Sequence, residues 1–196
     1  MGRGAIIGLV ILGILIVLGL SVGGWVKTTY NGLVGLDETS KTAWSEVENQ
    51  FQRRYDLIPN LVETVKGYAQ HEQDVFVKVT EARSKVAGAG TVEEKINANQ
   101  ELSGALARLM VVVERYPDLK ANENFIRLQD ELAGTENRIA TARRRYNETA
   151  RDLNIKIRTF PANIIAGMFG FERATLFETT EDAKEAPNVK FTGEGQ

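Results

Sequence analysis

The chain has 196 residues and a net charge of −2, from 24 basic and 26 acidic side chains. This near balance gives no global field that would favour nucleic acid, so we expect no nucleic-acid partner. Because the chain has no cysteine, disulfides, a lipoprotein anchor and a thiolate metal site are excluded. Its one histidine is too few for an imidazole-rich metal site. We therefore expect no metal and no cofactor.

The first segment of the chain is apolar enough to cross a membrane. No residue between Arg3 and Lys27 is charged, and residues 5–26 supply the roughly 20 positions that a helix needs to span a bilayer core. Trp25 lies where an aromatic ring can rest at the lipid–water boundary. A cleaved signal would have a shorter apolar core and a better small-residue cleavage site. We predict a retained transmembrane anchor over residues 1–27, and hence a single-pass protein of the cell membrane.

Two glycine pairs in this anchor have four-residue spacing, Gly4 with Gly8 and Gly19 with Gly23. Small residues at this spacing let transmembrane helices approach closely. We therefore predict contacts between subunits at these glycines.

Residues 28–86 carry a stripe that predicts one long amphipathic helix. Its members follow alternating spacings of three and four, which is the pattern of helices that wrap around one another: Trp44, Val47, Phe51, Arg54, Ile58, Leu61, Val65 and Tyr68. Pro59 removes one backbone hydrogen bond, so it either kinks the helix or marks a hairpin. The stripe keeps its phase across Pro59, which favours the kink.

Two further helices are predicted. Thr91 and Glu94 have the spacing of a capping box and open a helix over 92–115, which ends before Pro117. The last helix begins between residues 119 and 124, and its stripe keeps the same spacing to its end: Phe125, Leu128, Leu132, Thr135, Ile139, Ala142, Tyr146, Thr149, Leu153, Lys156 and Phe160. The predicted fold is all-α: an N-terminal transmembrane helix, then an elongated antiparallel bundle of about three long helices over residues 28–171.

A short apolar C-terminal segment without charge, FPANIIAGMFGF, occupies residues 160–171. It is interpreted as a helix that caps the end of the bundle or as a contact with another subunit, a partner or lipid, for which the candidates are Ile164, Met168 and Phe169. Successive helices of the bundle run away from the membrane and back. A bundle of three helices would therefore place this segment at the end far from the membrane, whereas a bundle of four would return it to the bilayer. Residues 172–196 are acidic and turn-prone and predict a flexible tail.

Arg54 occupies a position in the apolar stripe, so burying it requires a carboxylate partner. Asp56, Glu131 or Glu136 could supply one. We interpret Arg54 and Glu136 as a structural ion-pair layer that fixes helix register. The alternative is a phosphate or anionic-lipid site at two arginine clusters, residues 53–54 and 143–145. The acidic residues interspersed there favour the structural interpretation.

The sequence has no pattern typical of catalysis. His71 and Glu72 match the start of a zinc-protease helix, but Val75 stands where the second histidine would be. No nucleophile with a base and no phosphate-binding loop is present. We predict that the protein is not an enzyme.

Long stretches of the chain resemble the LemA family of bacterial membrane proteins. They are YNGLVGLDE (30–38), WSEVENQFQRRYDLIPNLVETVKGYAQHE (44–72), VTEAR (79–83), LARLMVVVERYPDLKANENFIRLQDELAGTENRIATARRRYN (106–147) and FPANIIAGMFGF (160–171). The resemblance implies a single-pass membrane protein with a helical bundle, most often on the cytoplasmic side, and it brings no catalytic residues. The charges that flank the anchor are nearly balanced and leave the side open.

Two functions remain after these exclusions. The first is a non-catalytic, membrane-anchored helical scaffold that self-assembles as a homo-oligomer and presents its surface to an unidentified membrane protein. The alternative is a lipid-interacting bundle that organises the membrane. A membrane-bound enzyme is the third and weakest interpretation, because it would need a cleft with a perturbed carboxylate.

Overall fold

The computed structural model describes residues 2–178, which form helices connected by short turns and contain no β-strand. In chain order the helices are α1 (Arg3–Lys66), α2 (Gln73–Gly88), α3 (Val92–Val113), α4 (Pro117–Lys120), α5 (Glu123–Arg158) and α6 (Ala162–Phe169). The all-α prediction is confirmed. Residues 179–196, most of the predicted flexible tail, lie outside the described residues.

Helix α1 is continuous over 64 residues, a length of about 96 Å at 1.5 Å per residue. Its first part carries apolar side chains that are exposed, such as Leu9, Leu15 and Leu20. By length and composition it is the one helix within residues 2–178 that could cross a membrane. The same helix then enters the bundle, where Leu33, Val47 and later residues are buried.

The first helix of the bundle ends earlier than the stripe predicts. α1 passes through Pro59 without reversing, and the chain turns back over residues 67–72. The prediction of one helix over 28–86 was therefore wrong. Tyr68 and Val75 are seven residues apart, so the spacing of the apolar stripe survives the turn and cannot reveal it.

The four longer helices alternate in direction. Arg53 on α1 pairs with Glu131 on α5 at 2.8 Å, whereas Glu46, earlier on α1, pairs with Arg145, later on α5, at 3.0 Å. α5 thus runs antiparallel to α1. It ends beside the end of the apolar span, so the apolar segment at 160–171 lies at the membrane-proximal end of the bundle. The expectation of a distal position was wrong, because α2 is a separate return helix.

The pairing of α2 with α3 completes this arrangement. Arg115, just after α3, lies 2.8 Å from Glu72, just before α2, and Lys85 near the end of α2 pairs with Glu101 on α3. The two helices are therefore antiparallel.

The predicted capping box at the start of α3 is confirmed, because Glu94 N–H donates to Thr91 Oγ1 and Glu94 Oε2 accepts from Thr91 N–H.

The buried apolar side chains form three clusters along the bundle. The distal cluster joins α1, α2 and α3 around Leu61, Val79 and Leu109. The middle cluster joins α1 and α5 around Val47 and Ile139. The third, which we call the base cluster, comprises Leu33, Ile165 and Ala166 with Val26, Tyr30, Ile157 and Phe171 packed against it.

Candidate functional site

The base cluster fixes α6 against α1 just after the apolar span. Ile165 and Ala166 on one side of α6 are buried against Leu33. The ring of Tyr30 lies 4.7 Å from that of Phe169 and 5.9 Å from that of Phe171. The chain leaves α6 through Gly170, whose φ of 72° is a left-handed conformation that glycine adopts without strain.

The other side of α6 is apolar and exposed. Met168 is 73% exposed and Ile164 52%, and the preceding Phe160 is 76% exposed. Phe169 follows Ile165 by four residues and so lies on the side that faces α1, yet it is 53% exposed as well. These include all three contact residues predicted in this segment. Two apolar faces on one short helix, without a charge between 160 and 171, are unusual for a surface in water. α6 is therefore a candidate binding surface.

The glycines predicted to contact other subunits all lie in the span of α1. A β-carbon placed on any of Gly4, Gly8, Gly19 and Gly23 would meet no other atom within 4 Å. This face of the helix is free of contacts within residues 2–178. The structure does not bring these glycines near α6, which lies beyond the end of the span.

The structure brings Arg54 and Glu136 together inside the bundle. The Arg54 side chain is buried, and its Nη1 donates to Glu136 Oε2 at 3.0 Å. Of the other two candidate partners, Glu131 pairs with Arg53 and Asp56 accepts from Gln52. Burial lowers the pKa of the Arg54 guanidinium, an effect that the negative charge of Glu136 opposes.

Sequence reasoning missed the partners of Arg54 on α3. Its Nη2 donates to Oδ1 of Asn99 at 2.6 Å and to the backbone oxygen of Asn99 at 3.1 Å, and its Nη1 donates to Ser103 Oγ at 2.8 Å. Asn99 and Ser103 are four residues apart and so share a helix face. Asn99 lies one turn before Leu102 on the buried face of α3. A polar residue on that apolar face was the available signal.

An extended segment after α6, residues 171–178, runs back along α5, and we call it the strap. Asn154 donates from Nδ2 to the backbone oxygen of Ala174 at 2.9 Å and accepts from its N–H at 2.8 Å. Asn147 makes the same pair of bonds with Phe177, at 3.0 and 2.9 Å. Because the two asparagines are seven residues apart on α5, they face the same side and hold the strap at two points.

The strap places the ring of Phe177 among those of Trp44, Phe51 and Tyr146, and we call these four rings the aromatic box. The ring of Phe177 lies 5.9 to 6.4 Å from the other three rings. The Tyr146 hydroxyl donates to the backbone oxygen of Thr175 at 2.7 Å, and burial raises the pKa of Tyr146. The predicted start of a flexible tail at residue 172 was therefore wrong for 172–178. A large aromatic residue within a polar stretch was the missed signal.

This arrangement offers a surface for binding. In the part of the chain that the structure describes, no three histidine, aspartate or glutamate side chains form a group that could hold a metal ion. Three grooves along α5 are open to solvent and lined mainly by charged and amide side chains. A fourth, between α1, α2 and α3, is lined by both apolar and polar side chains. The feature that points to a partner is the exposed apolar side of α6, beside the end of the anchor.

Comparisons with known proteins agree with this architecture. The sequence matches the model of the LemA family over residues 43–191. Magnetosome protein MamQ 2 of Paramagnetospirillum magneticum is 30% identical, across 91% of this chain and 74% of that protein. Magnetosome protein MamQ of Magnetospirillum gryphiswaldense is 26% identical, across 76% and 64%. Protein LemA of Metamycoplasma hominis is 25% identical, across 72% and 65%.

Proposed function

The chain belongs to the LemA family, and we propose that it is a non-catalytic, membrane-anchored helical bundle whose base docks on the bilayer surface through α6. In this proposal α1 crosses the bilayer and α6 lies in the interface as a second, shallow attachment. The bundle would organise the membrane around its base. This is the lipid-interacting function among the two that the sequence leaves open.

One observation carries the proposal: the exposed apolar side of α6 lies next to the end of the span. Tyr30, which contacts Phe169, is five residues after Trp25, a rise of about 8 Å along α1. The headgroup region of a bilayer is several ångströms deep on each side of the hydrocarbon core. With α1 across the bilayer, this spacing supports a position of α6 at the depth where an interfacial helix buries its apolar face.

Transfer of the exposed apolar side chains of α6 from water to lipid is energetically favourable. Moving a large apolar side chain out of water is favourable by about 1.5–3 kcal/mol when the side chain becomes fully buried. Phe160, Ile164, Met168 and Phe169 are each more than half exposed. Since α1 already holds α6 at the membrane, insertion loses little further translational freedom.

The depth of a probe on α6 tests the proposal. The chain has no cysteine, so Met168→Cys creates a single site for an environment-sensitive fluorophore. In the full-length protein in zwitterionic nanodiscs, we expect blue-shifted emission and strong quenching by lipids that carry a quencher in the acyl chain.

Val111→Cys is the matched control, because Val111 is an apolar residue with 70% exposure near the distal end of the bundle. Its probe should emit as in water and resist the lipid quencher. A Met168 probe that is shielded from water but not quenched by lipid would overturn docking on the bilayer and support contact with another protein chain.

Self-assembly is a second candidate function, favoured by the arrangement of the span glycines. At 100° per residue, Gly4, Gly8, Gly19 and Gly23 fall within an arc of about 100° on α1. That face is free for a second copy. Leucine in place of Gly8 and Gly19 should reduce cross-linked dimers in native membranes, whereas leucine at Gly13, which lies outside the pairs, should not.

A further inference from the structure

A groove lies between the last turns of α5 and the strap, close to α6. Its volume is ≈ 380 Å³. Its lining contains three arginines and no carboxylate; the other side chains are apolar, an amide and a hydroxyl. The lining residues are Arg151, Asn154, Ile155, Arg158, Thr159, Arg173 and Leu176. All the charged side chains that line the groove are therefore basic.

The arginines of this groove differ from Arg53 and Arg145, which lie higher on the bundle. Arg53 and Arg145 are each engaged by a carboxylate, at 2.8 and 3.0 Å. Arg151, Arg158 and Arg173 are exposed, and within residues 2–178 none of them forms an ion pair. Three cations without acidic partners repel one another, which an anionic ligand would relieve.

One end of the groove lies beside the base cluster. Ile157, the neighbour of Arg158, packs in the base cluster with Tyr30 and Leu33. Arg173 lies in the strap between Phe171, whose ring contacts Tyr30, and Ala174, which is bound to Asn154. A long arginine side chain at this level reaches toward the headgroup layer while its stem stays on the protein.

We propose that this groove binds the phosphate of an anionic phospholipid headgroup. The planar guanidinium group binds phosphate oxygens through paired, charge-assisted hydrogen bonds. The inference deepens the proposed function and rests on it, because α6 must first bring the base of the bundle to the bilayer. The C-terminal end of α5 carries a partial negative charge, and the three arginines outweigh it.

The test measures lipid preference on the full-length protein. Native mass spectrometry from detergent micelles counts bound phosphatidylglycerol against phosphatidylcholine for the wild type and for Arg158→Gln combined with Arg173→Gln. We expect the wild type to retain phosphatidylglycerol preferentially. Loss of each arginine should weaken that preference about fivefold, since a basic residue at an anionic surface contributes about 1 kcal/mol.

A second double variant, Arg127→Gln with Arg138→Gln, loses the same charge from the distal half of α5 and should keep the preference. If this control loses as much, net charge explains the effect and the groove is not the site. Inorganic phosphate that competes with phosphatidylglycerol at equal concentration would also overturn the lipid assignment, because the groove would then bind the free ion.

The two proposals fail in different ways. If the Met168 probe is not quenched by lipid, docking through α6 is wrong. If that probe is quenched in zwitterionic nanodiscs while the wild type shows no preference for phosphatidylglycerol, docking stands and the phosphate site is wrong.

Discussion

Nη2 of Arg54 donates to two oxygens of Asn99, 2.6 Å from the side-chain oxygen and 3.1 Å from the backbone oxygen. The residue Asn99 is 4% exposed, whereas the side chain of Glu136, the ionic partner of Arg54, is 54% exposed. An exposed ionic partner contributes little because water screens it. Asn99 is therefore the partner on which the buried guanidinium chiefly depends.

This difference predicts the order of two substitutions. Asn99→Ala removes the shorter of the two hydrogen bonds from the buried Nη2 of Arg54 and leaves only the one to the backbone oxygen. It should lower the free energy of unfolding by about 2 kcal/mol. Glu136→Gln should lower it by about 1 kcal/mol or less. Chemical unfolding of the full-length protein in micelles, followed by circular dichroism, measures both.

A double-mutant cycle shows whether the cost belongs to this pair. In the background of Arg54→Met the guanidinium is gone, so Asn99→Ala should lose most of its effect. If Asn99→Ala costs the same in both backgrounds, the role of Asn99 lies in packing on α3 rather than in binding Arg54.

Phe177 should contribute strongly to stability even though it follows the last helix. Phe177→Ala empties the aromatic box and removes the ring that lies 4.5 Å from the guanidinium of Arg143. Removal of a buried phenylalanine ring typically costs 3–5 kcal/mol, and we expect about 3 kcal/mol here. With Trp25→Phe in the background, Trp44 fluorescence reports the melting.

Phe160→Ala removes the same ring from a position that is 76% exposed, so it should leave the melting temperature in micelles nearly unchanged. Equal losses for Phe177→Ala and Phe160→Ala would contradict the box as a packed core.

The asparagine pairs should control how tightly the strap is held. Asn147→Leu removes two hydrogen bonds to Phe177 and keeps the branched shape of the side chain and its number of heavy atoms. At about 1 kcal/mol for each bond, opening of the strap should become about thirtyfold more frequent. Hydrogen exchange of the backbone amides at 174–177 measures this. Asn137→Leu, on an exposed side of the same helix, should leave their exchange unchanged.

The capping box should make stability depend on pH. The backbone N–H groups of Thr91 and Gly90 donate to Glu94 and lower the pKa of its carboxyl below the ordinary value of 4.5. A depressed folded pKa stabilises the protein above the unfolded pKa, and the stabilisation is lost as pH falls through the folded pKa. Glu94→Gln should therefore be less stable than the wild type near neutral pH.

The gap between Glu94→Gln and the wild type should close as the solution is acidified below about pH 4. Unfolding curves at several pH values check this. Glu93→Gln changes the adjacent first-turn carboxylate, which makes no capping hydrogen bond among the described residues, and should not show the same pH-dependent gap. A gap for Glu94→Gln that is independent of pH would mean that ionisation of Glu94 does not matter.

The stripes of apolar residues predicted the helices and their buried faces, since helical period alone decides which side chains meet a core. They could not predict the reversal after Lys66. Loop residues continue the count of three and four, and Gly67 looks like any glycine in a helix. Because this one reversal was missed, the prediction from sequence placed α6 at the wrong end of the bundle.

The polar contacts between helices were predictable only in part. Arg54 was recognisable as a charged residue in an apolar stripe, and its pairing with Glu136 follows from the antiparallel course of α5. Asn99 and Ser103 required the register of α3 on α1, which no local pattern encodes. The strap was hidden for a related reason, because its hydrogen bonds come from asparagines on a helix rather than from a neighbouring strand.

The unbroken course of α1 has a mechanical consequence. Its span and its bundle segment are one rod of about 96 Å, so a tilt of the span in a thicker or thinner bilayer swings the distal end of the bundle like a lever. If α6 docks on the bilayer as proposed, it supports the rod beside the point about which the rod tilts. Bilayer thickness would then set the angle at which the protein stands.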